Sequence, residues 1–254
     1  MRKSAIFTML SAIILLYSNS VMAQQTTLLL LPTVHTTHAK NPKYSFAHVM
    51  KIVENFKPDI IAVEIRPEDM DMDSTFLKQF YQPEMIMAKY AFPGIPKYGI
   101  DDQGKDLWGK HISLEFNKDT TTDRARSSAV GRLMNRDTAI ANAIKRLGLP
   151  AMAAKRNTMM ATLSANELMD GSYDAITNEY FTKLQSLVAN TPYASSPAYT
   201  SYRDQKLSIN IAEIVKKNPG KRIVVLSGAN HHNWYVINMS KMPNVTLVTT
   251  VKDN

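Results

Sequence analysis

Two short apolar runs on either side of one amphipathic segment constrain the fold of this chain more than any other feature. Thr27 to Val34 (TLLLLPTV) is apolar nearly throughout, as expected of a strand buried on both faces of a sheet. Tyr44 to Phe56 has apolar residues at helical spacing, and Ser45 suits an N-cap. Ile60 to Glu64 (IIAVE) is a second buried run. This β-α-β order within 38 residues predicts two parallel strands that are neighbours in the sheet.

The rest of the chain alternates further strands with helices. We predict strands at Tyr98–Asp102, Arg222–Leu226 and Val245–Val251. Helices are predicted over Asp71–Tyr90, Thr122–Leu147, Leu163–Val188 and Tyr202–Lys217, with a loop at Thr191–Ser201. The predicted fold is therefore α/β, with a mostly parallel central sheet flanked by helices, in a single domain over 24–254. A helical insertion is expected in the middle of the chain, at about 68–200.

The first 23 residues have the pattern of a secretory signal peptide. A positive start (MRK) precedes an apolar stretch from Ala5 to Tyr17, and Val21-Met22-Ala23 gives a V-x-A cleavage site. The apolar run is shorter than the roughly 20 residues that span a bilayer, which favours cleavage after Ala23 over a membrane anchor. We therefore expect a periplasmic or secreted mature chain without stable membrane insertion.

Composition excludes several classes of function. The chain has no cysteine, which rules out disulfides, zinc–thiolate sites and cysteine nucleophiles. The formal net charge is +8, or +6 once Arg2 and Lys3 are removed. Lysines and arginines are scattered rather than interleaved with aromatic residues, which predicts no nucleic-acid partner. The sequence contains no G-x-S-x-G, Walker loop or G-x-G-x-x-G, which argues against a serine elbow and a nucleotide site.

Ionisable side chains follow the predicted strands at the ends where a parallel sheet binds its ligands. His35 follows the first strand, Glu64 ends the second, and His231 follows a late strand. Because the carboxyl ends of parallel strands share one edge, we expect these residues to converge. Arg203, in the predicted first turn of the last long helix, is expected to join them. The dipole disfavours arginine at a helix N-terminus, so this placement suggests that it holds a carboxylate or a developing anion.

Each of these residues also has a simpler structural interpretation. A single histidine at a strand end is usually only a polar loop residue. Glu64 could pair with Arg66 or Lys57, and Arg203 could form a surface pair with Asp204. The arrangement of two histidines and one glutamate at three strand ends is less expected by chance than any one of them.

The other histidines carry weaker indications. His48 lies inside a predicted helix and His111 in a charged loop, so both are expected to be structural or solvent-exposed. His38 and His232 are intermediate, because each lies close to a predicted site residue. The H-x-x-H of His35 and His38 is not on a helix, so it is not a zincin-type motif.

Four segments, in this order, resemble the TraB/Tiki/GumN-like superfamily, which includes erythromycin esterase-like proteins and haem-binding ChaN-like proteins. The family has G-x-x-H after the first strand, a glutamate ending the second, an arginine opening a late helix, and a second G-x-x-H after a late strand. The matching segments are Leu31–His35 (LPTVH), Phe56–Glu64 (FKPDIIAVE), Tyr202–Ile211 (YRDQKLSINI) and Val225–His231 (VLSGANH). Pro32 stands where the family has the first glycine. The match covers about residues 27–66 and 202–251.

The resemblance implies a hydrolase-like domain that cleaves ester, amide or peptide bonds. In the Tiki-like branch, the histidines and glutamate bind a divalent metal, which assigns His35, Glu64 and His231 as ligands of Mn, Co or Zn. In the erythromycin esterase-like branch, a histidine activates water without an obligatory metal. That chemistry implies His35 as general base, Glu64 as the carboxylate that orients it or accepts protons, and His231 as a second acid or base. Arg203 then stabilises the oxyanion.

Two classes of function stay open. The first is an exported hydrolase of a small-molecule or peptide substrate, built on the four residues named above. The second is a non-catalytic exported binding protein on the same scaffold, for haem, a metal or a surface partner. Pro32 and a middle segment rich in Met and Tyr (Met85, Met87, Tyr90) favour the second class, although such methionines more often fill a core.

Overall fold

In the computed structural model, which describes residues 24–252, five parallel strands form one sheet with helices on both faces. The strands are β1 (Thr26–Thr33), β2 (Ile60–Val63), β3 (Lys97–Gly99), β4 (Arg222–Gly228) and β5 (Val245–Leu247), in the order β3-β2-β4-β1-β5 across the sheet. The described helices are α1 (Phe46–Phe56), α2 (Ser74–Leu77), α3 (Pro83–Ala91), α4 (Asp123–Arg136), α5 (Thr138–Arg146), α6 (Leu149–Thr162), α7 (Ala165–Met169), α8 (Ser172–Val188), α9 (Ser195–Lys217) and α10 (His232–Met239). The predicted α/β class with a parallel sheet is confirmed.

The middle of the chain contains helices and a short strand. The predicted helical insertion at about 68–200 includes the strand predicted at Tyr98–Asp102, which the structure has as β3 (Lys97–Gly99), and α4 to α8 lie beyond that strand. The predicted signal peptide, 1–23, falls outside the described residues. Among the residues that are described, no helix has both the length and the apolar character of a membrane span.

β1 and β2 are parallel but are not neighbours, which corrects the prediction. β4 lies between them, so that Leu226 is opposite Leu31 on one side and opposite Val63 on the other. β4 is buried from residue 223 to residue 228. An apolar strand of this kind is best covered at the centre of a sheet with helices on both faces. Local β-α-β order therefore fixed the direction of the two strands but not their adjacency.

Alternating side chains of the strands divide the core into two layers. Leu29 and Leu31 pack in the layer that contains α1 and α3, whereas Leu28 and Leu30 pack in the layer that contains α9 and α10. All four leucines are almost completely buried. Both faces of the sheet are thus covered by helices, and its carboxyl edge is left as the place for polar side chains.

Pro32 is tolerated in β1 because β5 is short. Even-numbered residues of β1 direct their N–H groups toward β5, as Thr26 shows by donating to the Asn244 carbonyl. β5 pairs only with residues 26–28, so the N–H that Pro32 lacks has no strand partner to bond. The Tyr44 hydroxyl donates to the Pro32 carbonyl at 2.9 Å. β1 therefore continues to Thr33, two residues before His35, with a proline at position 32.

Three of the predicted helices are each divided into two shorter ones, at Pro83, Asp137 and Gly171. Pro83 begins α3, Asp137 caps α5 by accepting bonds from two backbone N–H groups, and Gly171 has a φ of 89°. Each of these residues provides a new helix start, which apolar spacing over a long window does not reveal.

α9 begins at Ser195, seven residues before the predicted start at Tyr202, so the predicted loop at Thr191–Ser201 is wrong from Ser195 onward. Pro197 lies in the first turn of α9, where proline is tolerated because no intrahelical N–H bond is lost. Arg203 therefore lies in the third turn and not in the first. The helix dipole therefore does not explain why an arginine lies at this position, which corrects the prediction, and the contacts of Arg203 indicate its role instead.

Candidate active site

The four predicted residues line one cavity at the carboxyl edge of the sheet. His35 follows β1, Glu64 follows β2, and His231 follows β4, while Arg203 reaches the cavity from α9. The cavity has a volume of about 300 Å³. The structure thus places all four side chains together, as the strand-end argument expected, while their chemical roles stay predictions.

Arg203 joins two buried carboxylates, one from each of two neighbouring strands. Its Nη2 lies 2.6 Å from Glu64 Oε1 and 2.6 Å from Asp101 Oδ1, and its Nε donates to Asp101 Oδ1 at 2.9 Å. The Glu64 side chain is 9% exposed and that of Asp101 is 2% exposed. Buried carboxylates are costly unless they are paired. Arg203 therefore ties the ends of β2 and β3 together, and the alternative pairing of Glu64 with Arg66 or Lys57 is wrong.

Glu64 is a charged anchor with both oxygens hydrogen-bonded. Besides the bond from Arg203, its Oε2 accepts from Ser227 Oγ at 2.6 Å and from the Gly228 N–H at 2.7 Å. Burial acts to raise the pKa of Glu64, but the charges of Arg203, His231 and His35 and the Ser227 bond hold that pKa well below its usual range. Glu64 is thus suited to orienting its neighbours and not to accepting protons at neutral pH.

The pKa of Asp101 is shifted upward, in the opposite direction from that of Glu64. Burial and the charge of Glu64 raise its pKa, although Arg203 and Gln103 act against that rise. The sequence had indicated carboxylates at the end of this strand without assigning them to the site. Asp101 lines the same cavity and is a site residue that sequence reasoning missed.

His231 is held between an aspartate and an arginine. Its Nδ1 donates to Asp204 Oδ1, and its Nε2 accepts from Arg203 Nη1 at 3.0 Å. A guanidinium can only donate, so the proton of this imidazole is on Nδ1. Among the described ion pairs, the direct pairing of Arg203 with Asp204 that the sequence suggested is absent, and His231 bonds to both residues instead.

His35 is held by a carboxylate that the sequence did not reveal. Its Nδ1 lies 2.8 Å from Oε1 of Glu84 in α3, whose side chain is 0% exposed. The other Glu84 oxygen, Oε2, is buried with no hydrogen-bond partner in the described part of the chain. Burial acts to lower the pKa of His35, but the Glu84 bond and the charges of Glu64 and Glu84 outweigh it and raise that pKa above 6.5.

The backbone around His35 is specialised to place its ring. His35 has a φ of 54°, in the left-handed region that few residues other than glycine adopt. A Cβ on Gly228 would lie 2.6 Å from His35 Nε2, closer than packed atoms allow. Gly228 is the first residue of the late G-x-x-H motif, and glycine is required there because any side chain would displace the His35 ring. Backbone strain of this kind is typical of functional sites.

The other histidines lie outside the cavity lining. His38 is buried and bonds only to backbone atoms, and His48 completes the capping box at the start of α1. His111 is half exposed beside Asp69. His232 is buried and lies 2.8 Å from an Asp174 oxygen. These contacts give His38 and His48 structural roles.

The predicted metal ligands do not form a metal-binding set in this arrangement. Among residues 24–252, no three His, Cys, Asp or Glu side chains are placed so that they could hold a metal ion. The guanidinium of Arg203 occupies the space between Glu64 and His231, bonded to Glu64 Oε1 and to His231 Nε2. A metal ion on these two atoms would have to displace that cation. The Mn, Co or Zn expected from the resemblance stays a prediction that these contacts do not favour.

Met85, Met87 and Tyr90 are not among the described residues that line the cavity. Met85 is completely buried in the core beneath the sheet, whereas Met87 and Tyr90 are 39% and 49% exposed. These positions fit core filling and solvent exposure on opposite sides of α3. The feature that favoured a haem-binding protein therefore lies away from the candidate site.

The chain was also compared with known proteins. Neither protein-family models nor curated proteins nor solved structures give a match to it. The likeness to the TraB/Tiki/GumN-like superfamily thus stays a prediction, and the site must be interpreted from its own geometry.

Proposed function

We propose that this protein is an exported hydrolase of ester, amide or peptide bonds in which His35 activates water. The observation that carries the proposal is the environment of the His35 ring. Nδ1 is bound to the buried Glu84, and Nε2 has no hydrogen-bond partner among residues 24–252, in a ring that lines the cavity. A carboxylate on one ring nitrogen fixes the proton there and leaves the lone pair of the other nitrogen to accept a proton.

The reaction would proceed by direct attack of water on the carbonyl carbon. His35 Nε2 takes one proton from the water as the oxygen–carbon bond forms, and the carbonyl electron pair moves to its oxygen. The resulting imidazolium, stabilised by Glu84, returns the proton to the leaving oxygen or nitrogen as the intermediate collapses. The products are a carboxylic acid and an alcohol or amine.

Arg203 is suited to stabilise the oxyanion. It has five N–H groups. In the described chain, Nε is directed to Asp101, Nη2 to Glu64 and Asp101, and one Nη1 hydrogen to His231. One Nη1 hydrogen is left for a ligand in the cavity. The same contacts make His231, with Asp204 behind it, a residue that positions Arg203, which differs from the acid or base role expected from the resemblance.

Replacing His35 with alanine is expected to lower kcat/KM by about 10²- to 10⁴-fold, because the general base is lost. The measurement uses the mature protein on a panel of small esters and acetylated peptides. His111→Ala is the matched control, since His111 is half exposed and lies outside the cavity. Equal activity of wild type, His35→Ala and His111→Ala would end the hydrolase proposal.

The cavity lining favours a polar, anionic substrate. Phe80 is the one wholly apolar side chain among the described residues that line it. Arg124, in the first turn of α4, also lines it and has no carboxylate partner within ion-pair distance in the described chain. Its guanidinium instead lies 5.4 Å from the ring of Phe116. A cation left free at the edge of a polar cavity is suited to bind a carboxylate of the substrate.

Arg124→Ala is therefore expected to raise KM about tenfold for carboxylate-bearing members of the panel, the loss of about one charged hydrogen bond. KM for the same compounds with the carboxylate converted to an amide should stay unchanged. Arg126→Ala is the control, because Arg126 is on the same helix but pairs with Asp123. An equal change for charged and neutral substrates would contradict an anion-binding role.

A further inference from the structure

Asn230, the residue before His231, has an amide whose orientation is fixed from behind. Its Oδ1 accepts from Arg156 Nη2 at 2.6 Å and from the Tyr173 hydroxyl at 2.7 Å. Because a guanidinium only donates, the atom that faces Arg156 must be the oxygen. Nδ2 has no hydrogen-bond partner among residues 24–252, so two N–H donors of this amide are left for a ligand.

Arg156 is a buried cation without a carboxylate partner in the described chain. It is 8% exposed, its Nε donates to Thr177 Oγ1 at 3.0 Å, and its guanidinium lies 4.8 Å from the ring of Tyr180 and 5.1 Å from that of Phe181. Aromatic faces compensate a buried charge only in part. The positive charge is instead directed at Asn230 Oδ1, where it polarises the amide and strengthens its N–H groups as donors.

Asn230 lies between two cavities. One is the candidate active site, and the other, of about 100 Å³, is lined by Thr177 and Phe181, two residues that contact Arg156. Asn230 is exposed, and because Arg156 and Tyr173 hold its amide oxygen, its amide nitrogen is available to a ligand in the active-site cavity that the residue lines. Asn230 can thus offer polarised donors to the cavity that His35 also lines.

We infer that Asn230 Nδ2 donates to the substrate carbonyl oxygen and to the oxyanion that forms from it, with Arg156 and Tyr173 as positioning residues. This inference rests on the proposed hydrolase function. As water attacks, the carbonyl electron pair moves to oxygen, and Nδ2 and the free Nη1 hydrogen of Arg203 stabilise that charge without transferring a proton. Two fixed donors at one oxygen are the usual form of an oxyanion hole.

Asn230→Asp is the sharpest activity test, because aspartate keeps an oxygen for Arg156 and Tyr173 but loses the amide donor. We expect kcat to fall about 10²- to 10³-fold, with KM nearly unchanged. Tm should be maintained or raised, because the new carboxylate pairs with Arg156. Arg156→Met should lower kcat less, and Arg156→Lys should restore part of that loss. A wild-type kcat in Asn230→Asp, or a loss of Tm that accounts for the loss of activity, would overturn the assignment.

A binding measurement tests the same donor without catalysis. Methylphosphonate monoester, an anion with the shape of the tetrahedral intermediate, is titrated calorimetrically into His35→Ala and into His35→Ala/Asn230→Ala, which adds no charge. We expect at least tenfold weaker binding to the double variant. Equal affinity, or no binding to either protein, would overturn the role of Asn230. If binding depends on Asn230 while His35→Ala keeps full hydrolytic activity, the hydrolase mechanism fails but the anion donor is retained.

Discussion

Replacing Arg203 with methionine is expected to lower the free energy of unfolding by about 3–5 kcal/mol at neutral pH. Among the described residues, Arg203 is the one cation that contacts both Glu64 and Asp101, whose side chains are 9% and 2% exposed, and the change removes it. Glu64 keeps its bonds from Ser227 and Gly228, but the positive charge opposite the two carboxylates is gone. Urea denaturation of wild type and variant measures the difference.

The loss of unfolding free energy in Arg203→Met should become smaller as the solution is acidified. The pKa of Glu64 is lowered in the folded protein, so its ionisation contributes stability above its ordinary value of 4.5, and that stability is lost as pH falls. Lys51→Met is the control, because Lys51 and Glu54 form an exposed pair whose removal should cost no more than about 1 kcal/mol. An Arg203→Met protein as stable as wild type at pH 7 would show that Arg203 does not hold the strand ends.

The hydrolytic rate is expected to rise about tenfold per pH unit below the pKa of His35 and to level off above it, because only the neutral ring accepts a proton. Glu84→Gln removes the charged hydrogen bond that acts most strongly to raise this pKa, while the charge of Glu64 stays, so the profile should move to lower pH. The plateau rate should also fall about 10²-fold, since the ring is no longer held by a carboxylate. Rates measured between pH 5 and pH 8 on one substrate give both the position of the pH profile and the plateau rate.

The same pair also predicts a pH-dependent stability with a defined sign. The folded-state pKa of His35 is raised above 6.5, so its pairing with Glu84 stabilises the fold fully below pH 6.5, and that stability is lost as pH rises through the raised pKa. Glu84→Gln should therefore be most destabilising in acid and least destabilising in alkaline solution. If Glu84→Gln lowered the free energy of unfolding by the same amount at every pH between 5 and 8, an ion pair between His35 and Glu84 would be contradicted.

The convergence of the site residues follows from sequence, because it depends only on strand direction. Parallel strands place their carboxyl ends at one edge, and that rule places His35, Glu64 and His231 together even though the predicted strand order was wrong. β4 pairs through backbone atoms with both β1 and β2. Backbone pairing depends little on side-chain identity, so strand adjacency could not be predicted.

The residues that complete the site were harder to find. Glu84 lies in a Met-rich helix with no motif around it, and only the packing of α3 beneath β1 and β2 brings it to His35. Arg203 was expected to hold a carboxylate because it was predicted to lie in the first turn of its helix. It does contact Glu64, but it lies in the third turn, so the reason for the prediction was wrong. Asn230 is the third residue of G-A-N-H, but that pattern does not indicate the orientation of its amide, which depends on Arg156, 74 residues away in sequence.

An NMR titration of the His35 ring in wild type and in Glu84→Gln, with His35→Ala used to assign the signal, tests the role of His35 most directly. We expect a titration midpoint above 6.5 in wild type and a lower midpoint once Glu84 is neutral. A midpoint at or below 6.5 in wild type, or one that Glu84→Gln leaves unchanged, would contradict this expectation. In either case His35 would not be a base held by Glu84, and the proposed hydrolytic site would lose its central residue.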